Sequence, residues 1–185
     1  VLTTRLTLLE RLRDPADEAA WERFVELYVP LMLSWAERLG LQSADASDLT
    51  QDVVVNLLRK FADFQYNPAG SFRAWLRTVF LNKHRERCRR KFPLTTGDTD
   101  VWNGLREEPS EEENAEDRRL LVQRGLELIR PEFSPSVWSA FWEYAVQGRP
   151  PAQVAAELGL SIGTIYVSKS RVLARLKLEI EGLPS

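Results

Sequence analysis

The sequence predicts an all-α protein of two small helical domains joined by a flexible acidic linker. Three observations predict it. Apolar residues recur every three or four positions almost throughout. No stretch alternates apolar and polar residues as a half-buried strand does. The helical period vanishes from Pro93 to about Glu112, where Thr, Gly, Pro, Asp and Glu dominate as they do in linkers. The expected boundaries are therefore 1–92, 93–112 and 113–185.

In the first domain Trp21, Phe24, Tyr28, Met32, Trp35 and Leu39 form one apolar stripe, with a kink or break expected at Pro30 and an end at Gly40. A second helix, from about Ala46 to Phe61, carries Leu49, Val53, Leu57 and Phe61 on one side. Its other side bears Asp48, Asp52, Val55 and Arg59, with Gln51 at the edge. A turn through Asn67, Pro68, Ala69 and Gly70 precedes a third helix, for which Ser71 is a fitting N-cap. Phe72, Trp75, Leu76, Val79 and Phe80 are its buried stripe; beyond Leu81 it reads as basic nearly all round. In the second domain a helix with Leu121, Val122, Leu126 and Ile129 stops at Pro131. Ser134 and Pro135 then open a helix with Val137, Trp138, Phe141, Trp142 and Ala145 that ends at Gly148.

Composition narrows the chemistry. At 185 residues, 44% hydrophobic and 28% charged, the chain has the balance of a soluble globular protein. No apolar run approaches the ~18–20 residues of a membrane span, and no charged-then-apolar secretory pattern opens the sequence. The single cysteine, Cys88, cannot form an internal disulfide, which suits a reducing cytoplasm. One Cys and one His do not furnish a zinc site, and no metal or other cofactor is expected. Cys88 lies four residues after His84 on a basic helix; an exposed ring and thiol is the expectation there, rather than a catalytic pair. The net charge of −2 hides two opposed blocks. From Arg73 to Lys91 eight cations stand against Glu86, and from Asp98 to Asp117 nine acids stand against Arg106. The negative charge of the linker from Pro93 to about Glu112 suits a solvated spacer; a weak nucleic-acid mimic is the other reading.

The sharpest local pattern is Pro151–Leu158, then Gly159, Leu160 and Ser161, then a helix from Ile162 to about Ile180. Val154, Ala155 and Leu158 are expected to face inward from the first helix, and Ile162, Ile165, Val172 and Leu176 from the second. Gly159 permits the positive φ of a tight reversal, and Ser161 is the expected cap. The outer arc of Gly163, Thr164, Val167, Ser170 and Arg171, flanked by Tyr166 and Lys169, is small, polar and basic. That is a helix-turn-helix with a recognition helix able to enter a DNA groove.

Two further segments add specificity. The run Asp45, Ala46, Ser47, Asp48, Leu49, Thr50, Gln51, Asp52, Val53 resembles region 2.2 of bacterial RNA polymerase sigma factors. Phe72, Arg73, Ala74, Trp75, Leu76, followed by Asn82 and the Arg85 to Arg90 cluster, resembles regions 2.3 and 2.4. Gly159 to Thr164 with Ser170 and Arg171 resembles region 4.2, in the right order across a linker. The chain is thus similar to the compact extracytoplasmic-function (ECF) subfamily of the sigma-70 family, lacking room for a region 3 domain or a long N-terminal extension.

The resemblance implies a non-enzymatic sigma factor, monomeric when free, that binds core RNA polymerase and promoter DNA. Asp48, Gln51, Asp52 and Val55 would dock on the coiled coil of the largest subunit, while the flap engages the second domain. Phe64, Tyr66 and Asn67 would meet the opened −10 element, although Phe64 fits the core equally well. Asn82, Lys83, Arg85, Arg87 and Arg90 would follow −10 phosphates. Thr164, Tyr166, Val167, Lys169, Ser170 and Arg171 would face the −35 element. An anti-sigma protein is a further partner the resemblance implies, and packing between the domains should keep the free chain's DNA affinity low. One departure stands out: Lys169 occupies a position where the family pattern has a core leucine. The alternative function is a self-sufficient helix-turn-helix regulator that ignores polymerase.

Overall fold

The computed structural model describes residues 7–63, 71–91 and 109–180, and among these every regular element is helical. The first half comprises α1 (Leu8–Arg11), α2 (Glu18–Arg38), α3 (Ser43–Lys60) and α4 (Phe72–Lys91). The second comprises α5 (Glu111–Ile129), α6 (Pro135–Phe141) continued by a π-helical turn (Trp142–Val146), α7 (Pro151–Leu158) and α8 (Ile162–Glu179).

The expected stripes are where the core lies. Phe24, Tyr28, Met32 and Trp35 of α2 meet Leu49, Val53 and Leu57 of α3 and Phe72, Leu76 and Phe80 of α4, all buried. Their rings interlock, with Tyr28 and Phe72 edge-on at 5.2 Å and Trp35 and Phe80 at 5.7 Å. α2 runs unbroken through Pro30, contrary to the break the sequence allowed. Leu27, Tyr28, Leu31 and Met32 are buried on either side of the proline, so packing outweighs the one backbone hydrogen bond that it removes. α5 begins two residues inside the expected linker. Ser110 accepts from the Glu113 amide at 3.1 Å, and the Glu113 carboxylate accepts from the Ser110 amide at 2.8 Å. This is a capping box, legible as Ser110 followed three residues later by Glu113.

The halves share one core. Leu121 and Ile129 of α5, Phe141 of α6, and Val172, Leu176 and Ile180 at the end of α8 belong to the same buried cluster as α2 to α4. Gly125 makes this possible: a Cβ there would stand 2.6 Å from Ile180 Cδ1 and 2.7 Å from Leu176 Cδ1. A smaller cluster of Ala140, Val154, Ala155 and Ile165 holds α6, α7 and α8 together.

Two polar clusters pin the seam. Asp117 of α5 has no exposed surface. Its carboxylate accepts the Trp35 indole N–H at 2.9 Å, Arg38 at 2.7 Å and Arg73 at 3.3 Å. At the other cluster Arg23 of α2 donates to Glu132 at 2.9 Å and to buried Glu179 of α8, and Arg175 donates to the same two carboxylates. Burial works against the charged form of Glu132, yet the bonds from Arg175 and Arg23 outweigh it and hold its carboxyl below the usual range. Asp117→Leu keeps the branched shape but removes the acceptor of the Trp35 N–H and the buried partner of two guanidiniums. We expect it to cost about 3 kcal/mol in urea unfolding followed by Trp fluorescence. A loss below about 1 kcal/mol would contradict a structural role for this cluster.

Candidate nucleic-acid interface

α3 divides cleanly between core and solvent. Its buried side is Ala46, Leu49, Thr50, Val53 and Leu57, and its outer side brings Asp48, Gln51, Asp52 and Val55 together, all exposed as expected. Val55 keeps 45% of its surface and Leu58 keeps 39%, so an apolar strip runs beside the acids.

The structure also brings this face to the basic helix. Arg87 of α4 reaches Asp52 at 3.2 Å and Asp48 at 3.7 Å. Arg87 is half-buried and spans the two exposed carboxylates, a pairing that contributes little to stability. On the same helix Glu86 accepts from Lys83 at 3.1 Å and pairs with Arg90 at 2.7 Å, and Asn82 accepts from Arg85 at 3.1 Å. The Lys83 hydrogen bond and charge, reinforced by Arg90, hold the Glu86 carboxyl below its ordinary range. Phe64, Tyr66 and Asn67 lie outside the described residues.

His84 is a correction. The sequence suggested an exposed ring, because every neighbour on the helix is basic. The ring is instead buried, continuing the i, i+4 series Phe72, Leu76, Phe80 to the end of α4. Half-buried Cys88 follows, its Sγ 3.7 Å from Nε2 and 3.9 Å from Nδ1. Burial, together with the charges of Arg85 and Arg87, pushes the imidazole pKa below 6.5. The folded state therefore favours the neutral ring, and the unfolded chain binds more protons below pH 6.5. Stability should fall as pH drops through 6.5 towards the depressed folded value, and level off beneath it. Thermal melts from pH 8 to 5 should show a smaller decline for His84→Leu than for the wild type. Parallel curves would contradict this.

Between α7 and α8, Gly159 takes φ 64°, and its amide closes the end of α7 on the Ala155 carbonyl. Ser161 caps α8 by accepting from the Thr164 amide at 3.1 Å, and its hydroxyl meets that of Thr164 at 2.8 Å. Ile165, Ser168, Val172 and Leu176 face inward. Leu158 and Ile162, expected inside, are 38% and 46% exposed. They are the last residue of α7 and the first of α8, on either side of the turn. Thr164 is half-buried, while Tyr166, Val167, Ser170 and Arg171 are exposed along α8. Lys169 is half-buried, and sequence reasoning missed its partner: its ammonium lies 5.3 Å from the Tyr144 ring centroid. The reading also missed a groove of about 950 Å³ between α5 and α6, lined by Val122, Leu126, Trp138, Trp142 and Val146 with Arg118, Arg119 and Arg130.

The comparisons with known proteins agree with this architecture. Residues 24–91 match the family model described as sigma-70 region 2. The chain is 28% identical over 158 residues to the ECF RNA polymerase sigma factor SigE of Mycolicibacterium smegmatis, covering 82% of this chain and 58% of that protein. It is 29% identical over 162 residues to the RNA polymerase sigma-E factor of Streptomyces avermitilis, covering 88% and 86%. It is 26% identical over 171 residues to the ECF RNA polymerase sigma factor SigL of Mycobacterium tuberculosis, covering 91% and 93%. The chain is thus similar to ECF RNA polymerase sigma factors, and its residues 24–91 carry the sigma-70 region 2 pattern. A self-sufficient helix-turn-helix regulator is not favoured by these relatives.

Proposed function

We propose that this protein is a detachable, non-catalytic specificity subunit that joins core RNA polymerase to the −10 and −35 elements of a promoter. The observation that carries the reading is the outer face of α3. An acidic first turn alone is explained by the helix dipole. The exposed Val55 and Leu58 beside Asp48, Gln51 and Asp52 are not, and they suit docking on a basic coiled coil of the largest subunit. The apolar groove between α5 and α6, edged with arginines, is the corresponding seat for the flap.

Lys83, Arg85, Arg87 and Arg90 of α4 would follow phosphates near −10, with Phe64, Tyr66 and Asn67 as the residues to meet the opened strand. α8 would enter the major groove at −35 with Tyr166, Val167, Ser170 and Arg171 foremost. Two weak contacts held on one enzyme act at high effective concentration, so neither needs to be tight alone.

The shared core bears on this mechanism. The two promoter elements lie about 25 base pairs apart, ~85 Å at 3.4 Å per pair. A globule of this length is only about 40 Å across, so one packed body does not span both. In this reading the seam at Asp117 and Glu132 opens on polymerase, and the free chain binds promoter DNA weakly. The anti-sigma partner suggested by resemblance fits a protein that must be held in reserve.

Asp48→Arg with Asp52→Arg should lower affinity for core polymerase at least about tenfold while leaving the circular dichroism melt unchanged. Core affinity within about twofold of wild type would remove α3 as the docking face. Arg171→Ala should weaken transcription from promoters with an intact −35 element, with core binding unaffected. Loss of core binding would show that α8 serves the polymerase instead.

A further inference from the structure

Tyr144 holds two of the residues assigned to −35 contact, and no pattern in the sequence singled it out. It sits in the π-helical turn that follows α6. The ring packs against Ala140, Val154, Ala155 and Ile165, the small core that sets the angle between α7 and α8. Its remaining surface is taken up from α8. The ring of Tyr166 meets it edge-to-face, centroids 5.4 Å apart at 89°, and the Lys169 ammonium stands 5.3 Å from its centroid. Tyr166 and Lys169 are three residues apart and therefore neighbours on one side of α8. The turn itself is held in place. Arg149, just beyond it, donates to Glu143 within the turn at 3.0 Å and to Glu157 of α7.

This geometry accounts for the departure at residue 169. A leucine there would point into the crevice between the turn and α8. The lysine lays its aliphatic stem along the same crevice and ends on an aromatic face that tolerates a cation. Tyr166, 48% exposed, is braced on one side by the same ring and free on the other.

We propose that Tyr144 is a positioning residue for −35 recognition. It fixes the Tyr166 side chain in the orientation presented to the groove and keeps Lys169 within the scaffold, so that Lys169 neutralises no phosphate. This rests on α8 being the recognition helix, and the test separates the two ideas.

The probe is a promoter duplex enriched by the wild-type holoenzyme from a pool with both elements randomised, compared with the same duplex carrying a scrambled −35 block. The ratio of the two affinities is measured from 50 to 200 mM salt with the full chain on core polymerase. Tyr144→Ala should reduce the ratio about tenfold, and Tyr144→Phe, which keeps the ring, should restore it. Lys169→Met, which keeps the stem, should reduce the ratio about two- to fivefold and leave the salt slope of the affinity for the enriched duplex unchanged. A fall of about 0.9 in that slope would identify Lys169 as a phosphate contact and overturn the proposal. So would an unchanged ratio for Tyr144→Ala while Arg171→Ala lowers it. If Arg171→Ala also leaves the ratio unchanged, the recognition-helix assignment falls, and the role of Tyr144 falls with it.

Discussion

A carboxylate with no exposed surface is costly unless donors replace the water it has lost. Asp117 meets that demand with Trp35 and Arg38 from α2 and Arg73 from α4, so a residue of the second half is completed only by the first. The apolar part of the seam is not directional; the hydrogen bonds are, and they set the register in which α5 lies on α2. Once α5 is placed, Gly125 brings the end of α8 close enough for Leu176 and Ile180 to enter the common core. Arg23 and Arg175 then gather Glu132 and Glu179 at the far end of the same seam.

The arginines thus divide into two populations. Arg23, Arg38 and Arg73 neutralise acids of the second half. Arg89 and Arg171 are exposed on α4 and α8, where a cation can meet a polyanion. A chain with a net charge of −2 can carry cationic surfaces because acids such as Asp117, Glu132 and Glu179 are paired at the seam.

Much of this was legible from spacing. The stripes of α2, α3 and α4, the turn at Gly159, the cap at Ser161 and the outward acids of α3 are all local patterns, with periods of three or four residues or turn chemistry that reads at short range. What escaped is long-range or ambiguous. Asp117 closes a string of acids, and nothing local marks it for burial; its partners lie 82, 79 and 44 residues away. His84 sits among arginines, and only the i, i+4 continuation of Phe80 hints that it turns inward. Leu158 and Ile162 have the right spacing for burial but stand at the mouth of the turn. The roles of Tyr144 and Lys169 depend on a π-helical turn whose extra residue shifts the face presented to α8, which a regular helical wheel does not anticipate.

The seam has a thermodynamic corollary. A ligand that grips the halves apart draws only on molecules already separated, and its observed affinity is its intrinsic affinity scaled by that fraction. If one molecule in about a hundred is open, binding weakens about a hundredfold with no change at the contact surface itself. Residues such as Glu132, which no ligand need touch, thereby acquire leverage over every surface that requires separation. Loosening them strengthens distant binding, and tightening them silences it.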